Sequence, residues 1–180
     1  MDETGHSFRA SLGRSWAPRG HPPVVRRLTR RHGRREVSSI VALVAPRSRH
    51  DRARLYARHF RGAIGGAQVA EALRYFRRRV GRPLLVVWDR LNAHRAAPVR
   101  ALVATRPTDY RLEWLPPYAP DLNPEELCNG AVKRATQNAA PTSVDELHAL
   151  ARRAFRRLGR QHDTLTAFIR HKRIRVTRTT

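Results

Sequence analysis

A chain of 180 residues can bury one hydrophobic core, and a single domain is the expected count. Its 37 Lys and Arg outnumber 14 Asp and Glu, a formal charge of +23, which makes an acidic polymer the natural partner, nucleic acid ahead of a membrane surface. The lone cysteine, Cys128, excludes a disulfide framework and a paired-cysteine zinc site, and no apolar run approaches the ~18 residues of a membrane span.

No charged-then-apolar leader opens the sequence, so the expected location is the cytoplasm. Only Lys133 and Lys172 are lysines, and the excess of Arg, Ala and Val matches codon bias in a GC-rich genome. Part of the charge is discounted for that reason. The guanidinium fork still presents donors in the geometry that phosphate oxygens accept.

In chain order, residues 4–36 are polar, basic and broken by Gly and Pro, which suits a loop or irregular hairpin. The β-branched run VSSIVALVA at 37–45 and the alternating ARLYARHF at 53–60 predict two antiparallel strands. From Gln68 to Val80 the apolar residues Val69, Leu73, Phe76 and Val80 share one helical face, closed by Gly81 and Pro83. PLLVVWD at 83–89 reads as a strand buried on both faces and ending at Asp89.

A helix over 96–104, a strand over 110–116 and helices over 125–136 and 144–158 follow. The last carries Val144, Leu147, Ala151, Phe155 and Leu158 on one side. Trp16, Trp88 and Trp114 read as core or loop anchors rather than base-stacking platforms. This order predicts an α/β domain over 1–160, a mixed sheet covered by helices, with residues 161–180 a basic tail.

Acids converging from distant positions on a basic surface can hold two divalent ions, which activate an attacking oxygen and stabilise the leaving oxygen of a phosphoryl displacement. Magnesium suits such oxygen ligands. Asp89, at the end of an apolar strand, stands where α/β sheets present ligands, although from the residues alone a solvated strand end or turn cap is the commoner case. Glu126 is either a ligand or the last member of a capping box begun by Asn123. Asp2 by itself is a terminal residue. Lys133, two helical turns beyond Glu126, and the adjacent Arg134 are candidate DNA contacts or plain surface cations. His94 is a candidate to orient a carboxylate or touch a phosphate, or a structural histidine of the turn.

Three blocks in order, DETG with SWAPRGHPP, then LLVVWDRLNAH, then WLPPYAPDLNPEE with AVK downstream, resemble transposases of the insertion sequence 630 family, relatives of the mariner elements. The resemblance implies a ribonuclease-H-like fold with a five-stranded mixed sheet flanked by helices. It further implies a catalytic acid triad of Asp2, Asp89 and Glu126 binding two Mg2+ ions, for which Mn2+ can substitute. It selects Glu126 over Glu125 and Asp121, with 37 positions separating it from Asp89. Such enzymes cut double-stranded DNA at transposon ends and join the freed 3′ hydroxyl to target DNA, working as homodimers on paired ends.

Two departures stand out. Arg90 replaces the Asn that many relatives carry after the second acid, and CNG at 128–130 replaces an aromatic. Relatives also carry helix-turn-helix segments before the first acid, whereas Met1 alone precedes Asp2 here, so the expectation is a truncated first strand in a split or shortened copy. The alternative expectation is a noncatalytic, basic DNA-binding remnant.

Overall fold

The structure is a computed structural model, and it describes residues 1–8, 16–21, 24, 36–48, 50–117 and 120–171. Most of the loop expected over 4–36 therefore lies outside the described residues, as do residues 172–180. Strands β1 (Asp2–His6), β2 (Val37–Val44) and β3 (Arg54–Arg61) form an antiparallel sheet in that order, with Asp2 opposite Val41 and Val41 opposite Ala57.

Alternation along β2 explains its unbroken apolar run. Ile40 and Ala42 pack into one core with α1 (Gly66–Val80), while Val41 and Leu43 pack into a second core with α3 (Glu125–Ala135), α4 (Val144–Gly159) and α5 (His162–His171). The strand is thus covered on both faces, the α/β layering expected from the sequence.

Helix α1 buries Val69, Leu73 and Phe76 and ends at Gly81, whose φ of 76° lets its N–H reach the Arg77 carbonyl. At its other end α1 approaches α2 (Ala97–Thr105) so closely that a Cβ on Gly66 would lie 2.4 Å from the Ala96 Cβ. Helix α4 is capped by Ser143, whose hydroxyl accepts from the Glu146 N–H, and buries Leu147, Ala151, Phe155 and Leu158.

Strands β4 (Leu84–Trp88) and β5 (Tyr110–Trp114) pair in parallel as a second sheet. The single five-stranded sheet is therefore corrected to three strands plus two among the described residues. The Met1 amine, beside β1, donates to the Val87 carbonyl of β4 at 2.7 Å and brings the two sheets together. Contrary to the expectation of double burial, β4 is buried on one face alone: Val86 and Trp88 are in the core with α1 and α2, while Leu85 is 56 % and Val87 41 % exposed.

Where a tail was expected after residue 160, the chain forms α5, whose Leu165 and Ile169 are buried against α3 and α4. Trp88 is a core residue and Trp114 stacks on it at 5.6 Å, but Trp16 is fully exposed among the described residues. No helix among the described residues is long and apolar enough to cross a membrane.

Candidate active site

The contact between the two sheets fixes where the acids meet. Because the Met1 amine bonds to Val87, Asp2 lies beside the end of β4, and Asp89 is the next residue after that strand. Burial raises the Asp2 carboxyl above the ordinary range. The negative charge of Asp89 adds to the rise, while the Glu3 N–H, the terminal ammonium and Asn129 oppose it. A divalent cation would relieve the repulsion that the ionised Asp2 meets from Asp89.

Asp2 faces α3, on the same side of the sheet as its partner Val41. There its Oδ2 accepts from Asn129 Nδ2 at 2.9 Å, and its Oδ1 accepts from the Glu3 N–H at 2.8 Å. Glu3, the next residue, points to the opposite face and places its carboxylate 3.2 Å from His94 Nε2. The other ring nitrogen of His94 lies 2.8 Å from Asp89 Oδ1 and 3.1 Å from the Asp89 carbonyl.

His94 is buried and stacked on Trp88, with ring centroids 4.3 Å apart and planes within 8°. Its burial favours the neutral ring, but the bonds and charges of Glu3 and Asp89 outweigh it and raise its pKa. Held this way, His94 braces Asp89 instead of facing solvent. Asp89 itself is 44 % exposed, and its Oδ1 also accepts from the Leu91 N–H.

The two adjacent glutamates at the start of α3 have separate fates. Glu125 is buried: Leu43 N–H donates to its Oε1 at 2.5 Å, and Oε2 lies 3.1 Å from the Met1 ammonium, so it ties β2 to α3. Desolvation pushes its pKa up to about 7, against the pull of that ammonium and of the Leu43 N–H. Glu126 is exposed. The capping box does not form, because Asn123 Oδ1 accepts from the Glu125 N–H, a cap made without the Glu126 side chain.

Glu126 precedes Asn129 by one turn, which puts it on the helix face that touches Asp2. Even so, among the described residues no three His, Cys, Asp or Glu side chains gather closely enough to hold a metal ion. Asp2 and Asp89 fit a hard cation as oxygen donors, and Glu126 does not complete a three-residue cluster with them among the described residues. Lys133 and Arg134 lie exposed in the last turn of α3, and the charge of Lys133 reaches His6, at the far end of β1 from Asp2.

Sequence reasoning missed Glu3, Asn129 and the structural use of Glu125. Each had a signal of position alone: Glu3 alternates with Asp2 across the sheet, and Asn129 is one turn beyond Glu126.

The family model for the DDE superfamily endonuclease matches residues 1–148. The chain belongs to that family. Its fold is similar to those of the mariner Mos1 transposase in a paired-end complex with Mg (TM-score 0.56, 16 % identity, covering 95 % of this chain and 50 % of that one). It is also similar to the Mos1 paired-end complex with the left transposon end (TM-score 0.52, 18 % identity, 92 % and 53 %). The DDE chain therefore has the ribonuclease-H-like architecture and spans about half the length of those transposases. Curated protein sequences include no match.

Proposed function

We propose that the chain is the catalytic domain of a DNA transposase of the insertion sequence 630 group. It cuts phosphodiesters at transposon ends and joins them to target DNA, acting in the cytoplasm as a homodimer on paired double-stranded ends. The observation that carries the reading is the convergence of Asp2 and Asp89 from β1 and β4, each braced by a separate side chain, Asn129 and His94. Membership of a DDE endonuclease family supports it, as do solved Mos1 structures with transposon DNA and a strand transfer complex at TM-score 0.51 and 17 % identity.

Asp2 and Asp89 would hold divalent cations, two Mg2+ or Mn2+, with Glu126 as the third acid. When bound, the metal supplies an activated oxygen nucleophile and stabilises the leaving oxygen. The chain's own residues prepare the site. Asn129 fixes one oxygen of Asp2, and His94 fixes Asp89 through a ring that cannot rotate without leaving Trp88. Glu126, at the positive end of α3 and outside a cap, keeps its carboxylate available. Lys133 and Arg134 extend the same helix toward DNA phosphates.

Joining of a labelled duplex with a free 3′ hydroxyl to plasmid DNA tests the proposal. Mg2+-dependent joining that disappears in Asp89→Asn is the expected result; joining that persists in that variant rejects the assignment. The lack of a three-residue metal cluster among the described residues favours one other reading, a basic DNA-binding protein without chemistry. That reading predicts DNA binding with no joining under either metal.

A further inference from the structure

On the sheet edge away from Asp2, β3 and α4 enclose a groove of about 480 Å³ into which five arginines project: Arg58, Arg79, Arg152, Arg156 and Arg160. No carboxylate lines it, and among the described residues only Arg58 has an acidic partner, Glu71 at 2.6 Å. Arg152 and Arg156 on α4 and Arg160 at its C-cap recur every fourth residue, so their side chains form a row about 12 Å long. The acids of that helix, Asp145 and Glu146, sit in its first turn, away from the row.

Arginines from three elements, β3, α1 and the α4 segment, meet in this groove with no carboxylate among its lining residues, and such a groove suits a polyanion. A duplex strand carries one phosphate per ~3.4 Å of axis, and a row of ~12 Å therefore meets about three of them. The groove contains tyrosines and histidines instead of an exposed aliphatic face, which argues against a membrane surface. None of Asp2, Asp89 and Glu126 lines it, and β2 separates its strand from the one carrying Asp2.

We propose that this groove is a second duplex-DNA contact, gripping the backbone of a segment away from the acids. The inference rests on the reading above that the chain acts on DNA. Arg152, Arg156 and Arg160 supply the grip, and Arg79, held over the Tyr56 ring at 5.9 Å, closes the opposite wall.

The test is duplex binding by the full chain in EDTA as a function of salt, comparing Arg152→Gln/Arg156→Gln/Arg160→Gln with Arg78→Gln/Arg153→Gln/Arg157→Gln. Both variants lose equal charge at exposed positions, and only the first alters the groove. The groove variant is expected to reduce the slope of log affinity against log salt by up to ~2.7, at ~0.9 per phosphate contact, and the control by less than ~0.9. Lysine at the three groove positions should retain most of the slope. Equal losses in both glutamine variants, no loss in the groove variant, or binding to anionic vesicles without binding to duplex overturns the proposal. Absence of metal-dependent joining beside a groove-specific slope loss rejects the transposase reading and leaves the groove standing.

Discussion

Replacing Asn129 by Leu separates a positioning role from a structural one. The wild-type amide donates to Asp2 at 2.9 Å, a bond to a charged acceptor of the kind worth about 1.5–3 kcal/mol. Its own Oδ1 is buried without a partner, a cost of about 1–3 kcal/mol that Leu would remove. The two effects oppose each other in stability and leave a net of at most about 2 kcal/mol, so the melting temperature should shift by no more than about 8 °C, at 2–4 °C per kcal/mol for a chain of this size. Nothing offsets the loss at the proposed metal site. Mn2+ affinity, followed by titration calorimetry, should fall about 10- to 100-fold, the usual consequence of removing the group that orients a ligand. A large drop in melting temperature with unchanged Mn2+ affinity would show that Asn129 serves packing and would refute the reasoning.

Other predictions concern the scaffold. Gly66→Ala places a methyl 2.4 Å from Ala96, and overpacking of about 1–3 kcal/mol should exceed the helix-propensity gain and lower the melting temperature. Gly130→Ala, which meets only the flexible end of Arg134 at 3.4 Å, should raise it, by up to about 1 kcal/mol of stability. Burial pushes the His6 and His59 pKa values down to about 4, with the charge of Lys133 adding to the first and of His148 to the second. Unfolded histidines titrate near 6.5 and bind more protons than the folded pair between those values. Their contribution is therefore complete above pH 6.5 and lost as pH falls through 4. Urea midpoints of wild type and His6→Gln/His59→Gln should converge as pH falls across that window, and parallel curves would contradict the assignment.

Much of the fold was legible because it is local. The face of α1, its stop at Gly81, the antiparallel pair 37–45 with 53–60, and the stripe of α4 follow from periodicity and turn chemistry, and the structure reproduces them. What was not legible depends on neighbours distant in sequence. The run at 83–89 reads as doubly buried, but whether Leu85 and Val87 are covered depends on which distant elements pack on each face of β4, and only the face of Val86 and Trp88 meets α1 and α2. The residues of α5 look like a basic tail until α3 and α4 supply a surface for Leu165 and Ile169.

The site divides in the same way. Asp89 could be read from its place after an apolar strand, and Asp2 only from resemblance. Glu125 and Glu126 were indistinguishable by chemistry, and the structure separates them through Leu43, a partner 82 positions away that claims Glu125 for the core. Asn129 and Glu3 carry no motif, so their bonds to Asp2 and His94 emerge only when β1, α3 and the turn after β4 are brought together.

The measurement closest to the central claim is cleavage of a labelled duplex by the purified chain with Mg2+, with Mn2+ and with EDTA, beside Glu126→Gln. The account predicts nicking with either metal, none in EDTA, and none in the variant, whose exposed site should leave its folding intact. Nicking that survives in Glu126→Gln, or in EDTA, would contradict the three-acid metal site.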